Sequence, residues 1–262
     1  MMKLIVSDVD GTLLPEGTSD LNPELYDVIR TLKEKGILFV AASGRQYHSM
    51  LEVLAPVKDE ILFAADNGAC IKKQDEIVEC HALNKELLKE IKEYLDGLEG
   101  IYVLASTTEG GYTECQEQWF IDKIKNGYGI ALEPVNSLLD IEAPVTKVAV
   151  FCEGVDAAVL AAPAVQRFAG RASVMAAGAH WIDFMGENVD KGHAVAALQK
   201  KLGILPEETM AFGDNHNDIS MLNCAKESYA VLNARAEVKE IAAHVLTEEL
   251  SVAVLNVLKT LL

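Results

Sequence analysis

The stretch Leu4-Ile5-Val6-Ser7-Asp8-Val9-Asp10-Gly11-Thr12 decides how this chain is read. Leu4-Ile5-Val6 is a short apolar run that reads as a buried strand, and the chain opens into a loop just after it. A strand alternates its side chains with period 2, so acids two residues apart point to the same side at the strand's C-terminal mouth. Two such carboxylates repel each other unless a shared proton or a divalent cation sits between them. A strand that only packs has no use for them. The pattern suggests one acid as nucleophile or metal ligand and the other as general acid/base. A calcium loop is excluded, because counting from Asp8 the fifth, sixth and twelfth places hold Thr12, Leu13 and Ser19, where an EF-hand needs an oxygen ligand, Gly and Glu. The plainer alternative is a surface turn, with Asp and Gly in ordinary turn positions.

Outward from this run, strands and helices alternate. Asn22-Pro23 opens a helix, with Asn as N-cap and Pro at the first helical position. Its apolar face is Leu25, Val28, Ile29 and Leu32, and Gly36 ends it. Residues 37–42 read as a strand, the stretch to Leu54 as a helix, and residues 61–65 as a third strand closed by Asp66-Asn67-Gly68. From Asp190 the alternation resumes: helix to Leu202, strand 209–212, helix to Asn223, strand 229–232, a helix over 236–243 and a C-terminal helix. Short connections between alternating elements predict a parallel sheet. The middle differs. A helix over 84–95, strands at 101–105 and 146–152, a helix over 157–168 and a hairpin of 172–176 with 181–184 indicate an α+β module. The expected organisation is an α/β core of residues 1–80 and 187–262, interrupted by an inserted domain over 81–186.

Composition narrows the function. The chain has 262 residues, of which 50% are hydrophobic, enough for one large or two moderate cores. A formal net charge of −17 argues against nucleic acid as partner but allows a small anionic substrate where positive charge is concentrated locally. The five cysteines (Cys70, Cys80, Cys115, Cys152, Cys224) form no Cys-x-x-Cys pair, which points to reduced thiols in the cytosol. The N-terminal apolar run is too short for a signal peptide, and no uninterrupted apolar stretch is long enough to span a membrane.

Three further polar clusters fall after predicted strands or at helix starts, where parallel sheets collect ligands. Ser43-Gly44-Arg45 combines a hydroxyl with free N–H groups, either an anion site or a common turn and N-cap. Asp190-Lys191-Gly192 places a lysine against the helix dipole, either to neutralise a phosphate or as an ordinary surface lysine. Gly213-Asp214-Asn215-His216-Asn217-Asp218 packs acids and amides into one strand–helix turn, either as hard-cation ligands or as helix caps.

Taken together, Asp8-Val9-Asp10-Gly11-Thr12, Ser43-Gly44-Arg45, Asn67-Gly68-Ala69, Asp190-Lys191-Gly192, Gly213-Asp214 through Asn217-Asp218, and Asn233-Ala234 resemble the haloacid dehalogenase superfamily of aspartate-nucleophile phosphatases over the whole chain. More narrowly, they look like its Cof-type branch (subclass IIB), the sugar-phosphate phosphatases. The family's late Asp-Gly-Val is replaced by Leu250-Ser251-Val252, which touches no catalytic position. The resemblance implies a Rossmann-like core with a C2B-type α+β cap that closes over the leaving group and excludes water. It implies Asp8 as nucleophile, forming an aspartyl-phosphate, and Asp10 as general acid and then base. It implies Mg2+ held by Asp8, the backbone carbonyl of Asp10, and Asp214, with Asp218 acting through water. Ser43, the N–H of Gly44, Lys191 and Asn217 would grip the phosphoryl oxygens. Arg45 would aid the phosphate or anchor its loop by a salt bridge, and Asn67 would brace the site from behind. Trp119 would be cap core, with the Gly110-Gly111 loop and the turn from Ala177 to Trp181 facing substrate. The expectation is a cytoplasmic, Mg-dependent phosphatase of small phosphorylated metabolites, sugar phosphates foremost, as a monomer or small homo-oligomer without nucleic-acid or membrane partners. The alternatives are a phosphomutase built on the same parts and a non-catalytic metabolite-binding protein.

Overall fold

The computed structural model describes residues 1–15, 21–177 and 179–262. They divide into two compact units, Met1–Glu79 with Asp190–Leu262, and Cys80–Val189.

The first unit, the core, begins with β1 (Leu4–Asp8), α1 (Glu24–Glu34), β2 (Leu38–Ala42), α2 (Tyr47–Val53) and β3 (Leu62–Ala65). A hairpin follows, β4 (Cys70–Lys73) and β5 (Glu76–Cys80). β1 and β3 are buried along their whole length, and Leu4-Ile5-Val6 and all of β3 are apolar, as a sheet covered on both faces requires. In α1 the predicted face, Leu25, Val28, Ile29 and Leu32, is the buried one. Asn22 caps it by accepting from the Glu24 N–H at 3.1 Å.

The hairpin was not expected. Its strands carry Lys72, Lys73, Glu76 and Glu79, and an edge that must refuse further pairing tolerates charge where a central strand would show apolar residues.

In the second unit, the insertion, come α3 (Lys85–Leu95), β6 (Ile101–Thr107), β7 (Gly111–Thr113), α4 (Gln118–Tyr128), β8 (Leu132–Pro134), β9 (Val145–Cys152), α5 (Ala157–Arg167), β10 (Ala172–Ala177) and β11 (Trp181–Gly186). The chain then returns to the core with α6 (Lys191–Leu202), β12 (Thr209–Gly213), α7 (Ile219–Asn223), β13 (Glu227–Ala230), α8 (Ala236–Ile241), β14 (His244–Val245) and α9 (Leu250–Lys259). β13 lies two residues earlier than expected, because a turn begins at Val231, whose carbonyl accepts from the Ala234 N–H at 3.0 Å.

Among the described residues the core sheet runs β14-β13-β12-β1-β2-β3-β4-β5. It is parallel from β14 to β3 and antiparallel where β4 joins β3. The sheet of the insertion runs β10-β11-β9-β6-β7-β8 and is antiparallel apart from β7 with β8. Its expected hairpin pairs Ala172 with Gly186 through Ala177 with Trp181, while Gly178 of the expected turn lies outside the described residues. One face of this sheet (Val148, Val150, Cys152, Ile182, Phe184) packs on Leu88 and Ile91 of α3 and Ala161 of α5. The opposite face sets Leu104, Ala149 and Phe151 against Phe120 and Ile124 of α4. Trp119, expected in this core, is 40% exposed, packs edge-on against Tyr102 and its neighbour Phe120, and donates from Nε1 to Glu117 Oε2 at 2.6 Å. Gly111, expected in a loop, is buried as the first residue of β7. Among the described residues no helix is long and apolar enough to cross a membrane.

Candidate active site

The parallel neighbours β12, β1, β2 and β3 bring their C-terminal ends together, and each ends in one of the polar clusters. Asp8 is the last residue of β1. Beyond it the strand period stops, since the N–H groups of Leu13 and Leu14 both donate to the Val9 carbonyl, at 3.0 and 3.1 Å. Asp10 therefore sits in a turn. The pairing expected of the two acids is replaced by a separate cation for each.

Asp8 is held by Lys191, the first residue of α6. The Lys191 ammonium is wholly buried and donates to Asp8 Oδ1 at 2.5 Å and to Asp218 Oδ1 at 2.6 Å. It is thus no surface lysine. Burial opposes its charge, but the carboxylates of Asp218 and Asp8 hold it above the usual lysine range. Its helix start is fixed by Asp190, which accepts from the His193 N–H at 2.7 Å.

Asp214 and Asp218 follow β12. Asp218 Oδ2 accepts from the N–H groups of Asp214 and Asn215, both at 2.9 Å, so both of its oxygens are engaged and the loop folds around it. This approach requires Gly213, where a Cβ would lie 2.5 Å from that of Asp218. Asp214 Oδ1 accepts from Thr12 Oγ1 at 2.9 Å. Gly11 is needed twice, for its φ of +86 and because a Cβ there would lie 2.6 Å from Asp214 Oδ2.

Asp8, Asp214 and Asp218 each offer a carboxylate oxygen, and these lie within 4.8 Å of one another. Burial pushes the Asp8 carboxyl well above the ordinary range against the pull of Lys191, and burial with Asp218 lifts Asp214 to about 6. Asp8 Oδ2 is buried without a hydrogen-bond partner. Three carboxylates facing one ammonium leave two negative charges, which one divalent cation balances. A buried, unpaired carboxylate oxygen among all-oxygen donors fits a hard cation.

Asp10 belongs to a second network. Arg45 grips it bidentately, Nε to Oδ2 at 2.7 Å and Nη2 to Oδ1 at 2.6 Å, and the bond to Asp10 raises the guanidinium's pKa. Of the two roles open to Arg45, the salt bridge is the one present. Ser43 Oγ lies 3.5 Å from Asp10 Oδ2 and accepts from the Arg45 N–H at 3.1 Å. Behind this loop stands the turn after β3, where Asp66, Asn67 and Gly68 have φ of 49, 54 and 91. Left-handed backbone in a non-glycine residue costs of order 1–3 kcal/mol, and it persists here because the turn is tied on both sides. The N–H groups of Asp66 and Asn67 donate to the carbonyls of Arg45 and Ser43, both at 2.9 Å. Asn67 Oδ1 accepts from Asn217 Nδ2 at 3.0 Å, and a Cβ on Gly44 would lie 3.2 Å from the same oxygen. Asn67 thus links three of the residues expected to hold phosphate: Ser43, Gly44 and Asn217. Asn233, whose Nδ2 donates to the Gly11 carbonyl at 3.0 Å, steadies the turn that carries Asp10.

The sequence reading missed the placing role of Thr12 and the left-handed backbone of the turn from which Asn67 braces the site. The signal for the turn was present, since Asp, Asn and Gly are the residues that accept left-handed backbone. Thr12 is one hydroxyl in a loop, and only folding brings it to a residue 202 positions away.

Residues 5–258 match the family model of haloacid dehalogenase-like hydrolases. The 5-amino-6-(5-phospho-D-ribitylamino)uracil phosphatase YbjI of Escherichia coli is 28% identical over 248 residues, covering 93% of this chain and 90% of that protein. The phosphatase YwpJ of Bacillus subtilis is 25% identical over 273 residues, covering 92% of this chain and 93% of that protein. A crystal structure of a protein from Eubacterium rectale is 32% identical, with a TM-score of 0.91 over 100% of this chain and 99% of that one. The chain belongs to the haloacid dehalogenase-like hydrolases, in their Cof-type branch, and is an enzyme of the phosphatase class.

Proposed function

We propose that the chain is a magnesium-dependent phosphatase that hydrolyses small phosphorylated metabolites, sugar phosphates foremost, through an aspartyl-phosphate on Asp8. The observation that carries this reading is Asp8 Oδ2, buried and unpaired beside Asp214 and Asp218 while its twin oxygen is held by Lys191. That arrangement fixes a carboxylate whose free oxygen can attack phosphorus. Asp8, the backbone carbonyl of Asp10, and Asp214 would hold the ion, with Asp218 acting through water. Bound there, magnesium would neutralise the charge of carboxylate and phosphate as they approach.

In the first step Asp8 forms a bond to phosphorus as the bond to the leaving oxygen breaks, and Asp10 delivers a proton to that oxygen. Arg45 has to release Asp10 for this, and the phosphoryl oxygens are the anion able to take over its guanidinium. Ser43, the Gly44 N–H, Lys191 and Asn217 position the phosphoryl group. In the second step water attacks phosphorus, Asp10 takes its proton, and Asp8 is released. Residues 1–80 and 187–262 are thereby the catalytic core, and residues 81–186 are the cap that selects the leaving group. The charge of −17 supports a partner that is a small metabolite and not a nucleic acid, and the cysteine pattern supports a cytoplasmic location.

The test is hydrolysis of p-nitrophenyl phosphate with magnesium, with EDTA, and by Asp8→Asn. Activity should need magnesium and fall at least about 10,000-fold in the variant. A folded wild-type protein that is inactive with magnesium would end the phosphatase reading.

A further inference from the structure

Four strands form the edges of the two sheets, and three of them are guarded. β14 is two residues long, and β8 has three, of which Glu133 is charged and Pro134 lacks an N–H. β5 carries Glu76 and Glu79, and the Lys201 ammonium donates to its Val78 carbonyl at 2.9 Å. β10, Ala172-Ser173-Val174-Met175-Ala176-Ala177, has none of these devices. It pairs with β11 at every residue without a bulge, and among the described residues no strand lies on its other side. An open edge without charge, proline or bulge is a template for a further strand.

The helix above this edge is bare as well. α5 packs on β10 and β11 with Ala157, Ala161 and Ala164 buried beneath it. On one flank Leu160 joins the core of the insertion, and the Arg167 guanidinium lies 5.5 Å from the ring centre of Tyr94 on α3. Ala158, Ala162 and Val165, spaced four and three apart, lie on the other flank, turned from α3 to the side of the β10 edge, with Val155 just ahead of the helix. No charge interrupts them. Val155 and Val165 are 42% and 47% exposed, and Val159 beside them is 66% exposed. A run of bare apolar side chains, unlike a single stray one, marks a contact surface.

Charge and symmetry identify what covers it. With a formal net charge of −17, two copies of this chain repel each other over most of their surface and can close in only where charge is missing. Two identical strands paired antiparallel about a two-fold axis complement each other without any change of sequence. Because the bare flank of α5 lies on the side of the β10 edge, the axis that sets β10 on its copy also sets α5 on its copy. A foreign strand would satisfy the edge but would bring no matching helix. Six strand residues run about 20 Å and eleven helical residues about 16 Å, so the contact falls near the low end of specific interfaces, roughly 1,200 Å2 in total. We propose that β10 and the outer flank of α5 are the surface on which two copies of this chain pair, as a reversible dimer with one sheet continuous through both insertions.

The experiment is sedimentation velocity on the purified full chain over a range of concentrations. Wild-type protein should pass from monomer to dimer with a Kd of roughly 1–100 µM. Ala162→Glu brings like charges together across the axis and should raise that Kd at least about 100-fold. Ala162 is exposed, so in dilute solution the variant's melting temperature should match wild type. Val155→Lys, outside the helix, carries the test should that variant fail to fold. Amide exchange of residues 173–177 should slow at least about threefold between dilute and concentrated wild type and stay fast in the variants. A wild-type chain still monomeric at about 500 µM overturns the proposal. So does a dimer that folded Ala162→Glu forms as tightly as wild type, or one in which residues 173–177 exchange at the monomer's rate. None of these outcomes bears on the phosphatase reading, which hydrolysis of p-nitrophenyl phosphate tests separately.

Discussion

The two sheets treat charge in opposite ways. In the core sheet the central strands β1, β2, β3 and β12 carry no charged residue before the last position of β1, and the charged groups gather where those strands end. In the sheet of the insertion an ammonium and a carboxylate rise from mid-strand on a face otherwise packed with aliphatic and aromatic side chains. The difference follows from architecture. A parallel sheet covered on both faces has no room for charge except at strand ends, where loops begin and helix N-termini point. In the antiparallel sheet Lys147 and Asp183 offset each other's charge, which lets the pair stay buried along the strands.

This contrast is open to experiment, and the largest effect belongs to Lys191. Replacing it by Met strips the partner from two buried carboxylates, so the protein should lose about 3–5 kcal/mol, read from its urea midpoint. Hydrolysis of every phosphate ester, hydroxylated or not, should fall at least about 1,000-fold. A loss confined to one class of ester would break the contrast, because a group at the strand ends serves the phosphoryl group that all these esters share. Arg45→Ala should come next, lowering kcat about 10- to 100-fold and altering the pH profile through the release of Asp10. Arg45→Lys should restore little of it, because an ammonium cannot grip Asp10 at both oxygens.

Magnesium should act on the core. Asp214 is lifted from 3.8 to about 6, so without a cation the folded protein binds more protons than the unfolded chain across that interval. Its contribution to stability therefore declines as pH rises from about 4 to about 6 and stays low above that. A divalent cation takes the proton's place. Magnesium should raise Tm by about 5 °C near pH 7.5 and hardly at all near pH 4.5. An equal shift at both pH values would separate the carboxylate cluster from the cation. The smallest effect is expected at Asn67. Asn67→Gly keeps the left-handed turn but loses the bond to Asn217, so inorganic phosphate should inhibit it about tenfold more weakly while Tm changes little. Asn67→Ala should lose both phosphate affinity and stability.

How much of this was legible in the sequence varies by residue. Lys191 stood out because a lysine at a helix start opposes the dipole, and it proved to be the buried link between Asp8 and Asp218. Asp10 was harder. Its spacing from Asp8 suggested a shared cation, but the strand ends at Asp8, and the turn hands Asp10 to Arg45 instead. The β4–β5 hairpin was invisible because edge strands need no apolar pattern.

The chain's order of residues by itself determined the alternation of core elements, the motif at each strand end and the family, because periodicity and short motifs are local and each motif lies within a few residues. Only the tertiary structure decided which partner each of those groups has: Thr12 on Asp214, Arg45 on Asp10, Lys147 beside Asp183. Those partners lie up to 202 residues apart, and strand order and register bring them together. No local signal encodes such a meeting, since the free energy that selects it is the burial of the whole sheet.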